Sequence, residues 1–148
     1  MTGMHYVVTG GTGFIGRRLV TRLLDLPDTA AVHVLVRRQS LGRFERLAQQ
    51  WDERVCPLVG DLTEPALGLS DADAADLGDI DHVVHCGAIY DITAAEDRQR
   101  AANVEGTASV IGLAARLDAT LHHLSSIAVA GTYRGVFSED DIDVAQDL

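Results

Sequence analysis

The fold of this chain is decided by the stretch Tyr6-Val7-Val8-Thr9-Gly10-Gly11-Thr12-Gly13-Phe14-Ile15-Gly16. A short apolar run leads into spaced glycines, and an amphipathic pattern begins directly after them. This order predicts a strand, a tight turn and a helix. Bare backbone at the glycines lets a pyrophosphate approach and rest on the free N–H groups of the new helix. We therefore predict a dinucleotide-binding turn formed by Gly10, Thr12, Gly13, Phe14, Ile15 and Gly16.

Strand and helix patterns alternate along the rest of the chain. Each apolar run is short and rich in Val, Ile or Leu, as buried parallel strands require. Right-handed crossovers then give an α/β fold, a Rossmann-type doubly wound parallel sheet of order 3-2-1-4-5. The ligand crevice is expected at the carboxyl ends of strands one and four, within one domain of residues 1–148. The predicted strands are 5–9, 32–36, 54–59, 81–86 and 120–125.

Helical spacing of apolar residues predicts which helix faces meet the sheet. Residues 64–79 are predicted as a loop with one weak helix, because they combine a proline, two glycines and many Asp and Ala residues. The first stripe is Ile15, Leu19, Val20 and Leu23, the second is Phe44, Leu47, Ala48 and Trp51, and the fourth helix carries Ala101, Val104, Ala108, Ile111 and Ala115.

Composition excludes several functional classes. A net charge of −10 without a basic stripe argues against nucleic acid or an anionic membrane as partner. No apolar run approaches membrane-spanning length and no signal-peptide core precedes Gly10, so we expect a cytoplasmic protein with reduced cysteines. His82 and His85 alternate across a strand, as do His122 and His123, which argues against a shared metal site.

The end of the second predicted strand indicates which nicotinamide cofactor is chosen. A site that prefers NAD carries an acidic residue there, about 20 residues after the glycine turn, to accept the ribose hydroxyls. This chain has Arg37 and Arg38 instead. Two guanidinium groups can clamp the extra phosphate of NADP through charge-assisted hydrogen bonds, so NADP is the predicted cofactor. The alternative is a pair of solvated arginines at a strand end.

Further motifs follow in a fixed order after the glycine turn. They are Gly60-Asp61-Leu62, His85-Cys86-Gly87-Ala88, Asn103-Val104-Glu105-Gly106-Thr107 and Leu124-Ser125-Ser126. Together with the TGxxGxxG turn, they resemble the landmarks of the extended short-chain dehydrogenase/reductase superfamily. Within it, the blocks LVRR, GDL and HCGAIYD are most similar to the fatty acyl-CoA and thioester reductase group.

The resemblance implies roles for individual residues. Asp61 and Leu62 would meet the adenine ring, while Asn103 would tie the fourth helix to a neighbouring strand. Ser126 would be the catalytic serine that hydrogen-bonds the substrate carbonyl. For Asp61 and for the two serines, simple capping of a turn stays open as the alternative. The remaining residues expected beside the cofactor are Cys86, Gly87, Ala88, Tyr90 and Ser125.

The catalytic YxxxK pair of that superfamily is missing, since all 12 basic residues are arginine and Tyr133 is followed by Arg134, Gly135, Val136 and Phe137. We therefore expect the NADP-binding front part of a reductase, with the C-terminal strands and substrate region missing. Its parent chemistry would be reduction of an acyl-CoA or other thioester to aldehyde or alcohol. Alternatives are a non-catalytic NADP-binding module or split fragment, and a relative of sugar-nucleotide epimerases or hydroxysteroid dehydrogenases. An unprotected fifth strand predicts self-association.

Overall fold

The computed structural model describes residues 3–90 and 95–144. All paired strands are parallel, and the sheet order is β3-β2-β1-β4-β5. The predicted α/β fold and strand order are confirmed, and each strand lies within a few residues of its predicted position. The strands are β1 (Met4–Thr9), β2 (Thr29–Val36), β3 (Val55–Val59), β4 (His82–His85) and β5 (Thr120–His123).

Helices connect the strands, and none in the described ranges is long and apolar enough to cross a membrane. A π-helical turn, Ala101–Glu105, joins two α-helices into one continuous rod. Short 3₁₀ helices cover Arg38–Ser40, Pro65–Gly68, Ile127–Ala130 and Glu139–Val144. The α-helices are α1 (Phe14–Leu24), α2 (Leu41–Ala48), α3 (Asp71–Asp76), α4 (Glu96–Arg100) and α5 (Gly106–Arg116).

The sheet is covered on both faces, as a doubly wound fold requires. Neighbouring residues of β1 alternate between the faces, and Val7 and Val8 both have no exposed surface. Val8 packs in a cluster with residues of α1 and α2, including Val20 and Phe44. Val7 packs on the opposite face in a cluster with residues of α5, including Val110. Both faces of the central strands therefore carry apolar residues.

The predicted apolar stripe of α1 is partly wrong. Val20 and Leu23 are buried and Leu19 is half-buried, but the side chain of Ile15 is 56% exposed. Ile15 lies in the first turn of the helix, before the helix crosses the sheet. The stripe of α2 is as predicted at Phe44, which is buried.

The predicted inner face of the fourth helix, which the structure divides into the π turn and α5, is wrong. Val104 and Ile111 are 55% and 51% exposed, and Ala108 and Ala115 are also exposed. This helix is apolar on nearly every side, so the periodicity alone does not select a face, and the π turn shifts the phase by one residue. The face that packs inward is the one with Gly106, because a Cβ at this position would lie 2.6 Å from the Leu62 carbonyl oxygen and only glycine allows so close an approach. The buried residues of this segment are Ala102, Gly106, Val110, Leu113 and Ala114.

Candidate functional site

The glycine turn has a backbone that other residues cannot easily adopt. Gly10 has φ +69°, and a Cβ there would lie 2.7 Å from Cα and N of Gly87. The N–H of Gly13 donates to the Gly10 carbonyl oxygen at 2.9 Å, which closes the turn. Gly10 therefore satisfies two requirements, a left-handed φ and direct contact with the loop after β4.

The N-terminus of α1 is open toward the same turn. Gly13 is its N-cap, no side chain caps it, and its first turn holds no acidic residue. The free N–H groups and the positive end of the helix dipole are therefore available to an anion. Phe14 and Ile15 are the first two residues of α1, so their backbone N–H groups are among those left free, while their side chains are 71% and 56% exposed.

A crevice of about 380 Å³ lies at the carboxyl ends of β1 to β4. It is bounded by the glycine turn, the strand ends and α4. Nine predicted cofactor residues meet there, although they come from four separate parts of the sequence. These are Gly10, Thr12, Gly13, Arg37, Asp61, Leu62, Cys86, Gly87 and Ala88.

Other predicted cofactor residues do not line this crevice. Gly16 lies beneath the turn, where a Cβ would overlap the Gly10 carbonyl oxygen. Arg38 begins a 3₁₀ helix and is exposed, while Tyr90 is 95% exposed. Ser125 follows β5 and is exposed. Phe14 and Ile15 are likewise not among the lining residues of the crevice.

Arginine dominates the charge of the crevice. Arg37, Arg43 and Arg98 line it, and Asp61 is the single carboxylate among its lining residues. The Arg43 guanidinium donates to the Thr12 carbonyl oxygen at 3.0 Å, which ties α2 to the glycine turn. The sequence analysis missed Arg43 and Arg98. A basic residue in the first turn of the helix after β2 is the signal that points to Arg43, whereas no local pattern singles out Arg98.

Asp61 follows β3 and performs the turn-capping role that the sequence left open. Its Oδ1 accepts hydrogen bonds from the N–H and the hydroxyl of Thr63, both at 2.9 Å. No hydrogen bond to Oδ2 occurs within the described ranges, so the outer oxygen can accept from a ligand. Cys86 lies on the opposite wall, and burial raises the pKa of its thiol. The thiol therefore stays protonated at neutral pH.

Asn103 fixes the loop that follows β4. Its side-chain Oδ1 accepts from the N–H of Ile89 at 2.8 Å, and its Nδ2 donates to the Ile89 carbonyl oxygen at 2.9 Å. Asn103 lies in the π-helical turn, a feature that often occurs at functional sites. Asn103 therefore has a structural role, as predicted, but the predicted partner is wrong: it holds the loop after β4 and not a neighbouring strand.

Ser126, the predicted catalytic residue, lies beyond β5 and is exposed. Its Oγ accepts from the N–H of Ala128 at 3.2 Å and caps the following 3₁₀ helix. Leu124 N–H donates to the His85 carbonyl oxygen at 3.0 Å, so the chain leaves β5 beside the end of β4. Ser126 is thus placed at the same edge of the sheet as the crevice.

The histidines form two pairs across β4 and β5, on opposite faces of the sheet. His82 Nδ1 and His122 Nε2 are 3.2 Å apart, and the rings of His85 and His123 stack with centroids 5.1 Å apart. The sequence predicted the alternation of faces but not these cross-strand contacts. Within residues 3–90 and 95–144, no group of three or more His, Cys, Asp or Glu residues is placed to hold a metal ion.

A family model described as "Male sterility protein" matches residues 8–146. The chain belongs to this family. The predicted resemblance to short-chain reductases of the acyl-CoA and thioester group is thereby confirmed. The chain is an NAD(P)-binding domain of the type found in reductase domains of peptide and polyketide synthetases.

The similar proteins are much longer than this chain. It is 35% identical to a linear gramicidin synthase from Brevibacillus parabrevis, covering 87% of the chain and 3% of that protein. The terminal R domain of the myxalamid PKS-NRPS pathway superposes with TM-score 0.77 at 30% identity, over 92% of this chain and 38% of that one. The R domain of a nonribosomal peptide synthetase from Mycobacterium tuberculosis gives TM-score 0.70 at 28% identity, over 95% and 38%.

Proposed function

We propose that the 148 residues of this chain form the NADP(H)-binding part of a reductase that acts on acyl thioesters. The observation that carries the cofactor choice is the crevice, where three arginines face one carboxylate beside an uncapped helix N-terminus. A dinucleotide with an additional phosphate supplies the negative charge that such a site favours.

Arg37 is the principal determinant of the preference for NADP over NAD. It stands at the end of β2, where an acidic residue would accept the ribose hydroxyls of NAD. Its guanidinium has no hydrogen bond or ion pair within the described residues, so it is available to a phosphate. Arg43, in the first turn of α2, adds a second positive charge to the lining of the crevice.

Calorimetric titration with NADP and NAD tests this assignment. In Arg37→Ser, NADP affinity should fall about 10- to 150-fold, which corresponds to about 1.5–3 kcal/mol for a charged hydrogen bond, and NAD affinity should stay unchanged. Arg38→Ser should have a smaller effect, because Arg38 lies outside the crevice lining. Arg46→Ser, at an exposed position of α2, is the control.

Equal affinities of the wild-type protein for NADP and NAD would contradict the proposal. So would an Arg37→Ser variant that loses no more NADP affinity than Arg46→Ser. If Arg38→Ser has the larger effect, the phosphate lies on the outer side of the strand end and the role of the crevice arginines is wrong.

The proposed reaction transfers a hydride from NADPH to the carbonyl carbon of an acyl thioester. The C–S bond would then break and the thiolate would take a proton, which gives aldehyde, free thiol and NADP⁺. Reduction of the aldehyde to the alcohol would require a second NADPH and a further proton. Ser126 would hold the carbonyl oxygen. The 148 residues contain no lysine, so a YxxxK proton donor is not among them. We therefore propose that these residues bind the cofactor and that turnover requires residues outside this sequence.

A further inference from the structure

A chain of buried hydrogen bonds lies directly beneath the crevice. Thr9 and His85, at the ends of β1 and β4, have 0% and 1% of their surface exposed. Thr9 Oγ1 is 2.6 Å from His85 Nδ1, and it also accepts from the N–H of Gly87 at 3.0 Å. On the other side, His85 Nε2 is 3.0 Å from Thr107 Oγ1. The Thr107 hydroxyl donates to the Asn103 carbonyl oxygen at 2.8 Å.

One arrangement of protons gives every hydroxyl in this hydrogen-bond chain an acceptor. A carbonyl oxygen can only accept, so in this arrangement the single hydroxyl proton of Thr107 goes to Asn103. Thr107 Oγ1 then accepts from an N–H at His85 Nε2, and His85 Nδ1 carries the lone pair that accepts from the hydroxyl of Thr9. In this arrangement the ring is neutral, with its proton on Nε2.

The same chain reaches the backbone on which the cofactor would lie. Thr9 holds the Gly87 N–H, and Gly87 touches the glycine turn, since a Cβ on Gly10 would lie 2.7 Å from it. Gly10 and Gly87 both line the crevice. The two hydrogen bonds of Thr9 therefore connect the His85 ring to the place where the two loops touch.

We propose that His85 is a positioning residue for the dinucleotide: its Nδ1 lone pair, acting through Thr9 and Gly87, sets the distance between the two loops that bind the cofactor. This inference rests on the proposed function, because it assumes that the crevice takes a dinucleotide. We call the hydrogen bond between Thr9 and Nδ1 the Nδ1 arm and the hydrogen bond between Nε2 and Thr107 the Nε2 arm. The inference assigns cofactor affinity to the Nδ1 arm and only stability to the Nε2 arm.

The surroundings of His85 keep this arrangement intact at neutral pH. His123 from β5 stacks on the ring and is the titratable group that faces it within the described ranges, while β1 and α5 present the hydroxyls of Thr9 and Thr107. Burial and the neighbouring His123 lower the pKa of His85 to about 4. A proton on Nδ1 would leave the Thr9 hydroxyl proton without an acceptor where water cannot reach.

Two substitutions separate the arms of the ring. In His85→Asn, the amide oxygen can replace Nδ1 as the acceptor for Thr9, but the arm to Thr107 is lost. In His85→Gln, the longer amide can replace Nε2 as the donor to Thr107, but the acceptor for Thr9 is lost. Calorimetric titration with NADP should show affinity within about threefold of wild type for Asn, and about 3- to 10-fold weaker for Gln.

Thermal unfolding of the same variants distinguishes positioning from general destabilisation. Both variants should unfold at lower temperature than the wild-type protein, because each loses one buried hydrogen bond. If NADP affinity falls in proportion to stability in both, His85 is merely structural and the inference is overturned. If wild-type protein binds no dinucleotide, the proposed function itself fails, which is a different result.

A measurement on the wild-type protein covers the case in which the variants do not fold. Nitrogen NMR of the histidine rings at pH 7 should show His85 neutral and protonated on Nε2. A ring protonated on Nδ1, or one that is positively charged at pH 7, would overturn the proton arrangement and the inference with it.

Discussion

Substitution of two glycines by alanine separates cofactor binding from folding. At Gly13, φ is −79°, which any residue adopts, and a Cβ would meet only the Gly10 carbonyl oxygen, at 3.1 Å. The new methyl therefore points into the open crevice. At Gly16, a Cβ would overlap that same oxygen and lie 2.7 Å from Gly10 C and Gly11 Cα. These are backbone atoms, so no side-chain rotation relieves the contact.

The two variants should therefore fail in different assays. Gly13→Ala should lose less than about 1 kcal/mol of stability, since Ala is a poorer N-cap than Gly but restricts the unfolded chain. Its NADP affinity should fall about 10- to 150-fold, because the methyl displaces phosphate from the N–H groups of α1. Gly16→Ala should cost about 3 kcal/mol, the upper end for overpacking, and lower the melting temperature by about 10 °C.

Calorimetric titration with NADP and differential scanning calorimetry measure these two quantities. Unchanged nucleotide affinity in Gly13→Ala would refute the reasoning, because the phosphates would then not rest on this turn. A melting temperature of Gly16→Ala equal to that of the wild type would show that α1 does not pack against Gly10 as described.

Two further predictions concern pH and turnover. Because the pKa of His85 is about 4 in the folded protein and 6.5 in the unfolded chain, the unfolded chain binds more protons between these values. The free energy of unfolding should therefore fall as pH decreases from 6.5 to 4, by about 3 kcal/mol over the whole range. Urea unfolding at several pH values measures this, and the free energy of unfolding of His85→Asn should depend less on pH than that of the wild-type protein. The 148-residue chain should bind NADPH without oxidising it in the presence of a long-chain acyl-CoA, and steady loss of NADPH absorbance would contradict the role proposed for residues outside this sequence.

The sequence predicts what depends on local pattern. The glycine turn, the five strands and their order follow from periodicity, from the backbone freedom of glycine and from the handedness of crossovers. The same local logic finds Arg37, since a strand end fixes where the next residue lies. The family resemblance assigns Asp61 and Gly87 to the cofactor site, and both follow buried strands at the edge of the sheet where the crevice lies.

What the sequence misses depends on the phase of helices and on contacts between distant elements. Arg98 lines the crevice because α4 presents that side to it, and an isolated arginine on a helix gives no sign of its direction. The outward face of the π turn and α5, with Val104 and Ile111, looks as apolar as the inner face. The stacking of His85 on His123 depends on the register of β4 with β5, which periodicity leaves undetermined.

The proposed cofactor crevice and Ser126 are held by different kinds of contact in this protein. The crevice residues are fixed by buried strands and by hydrogen bonds that span the chain, such as Arg43 to Thr12 and Thr9 to His85. Ser126 is fixed, within the described residues, by a local bond to Ala128 on an exposed segment. The crevice also differs from the rest of the chain in charge. The chain carries a net charge of −10, yet three of its arginines line the crevice. We therefore expect nucleotide affinity to be a property of this part of the fold, while the placement of Ser126 against a substrate requires contacts from additional protein.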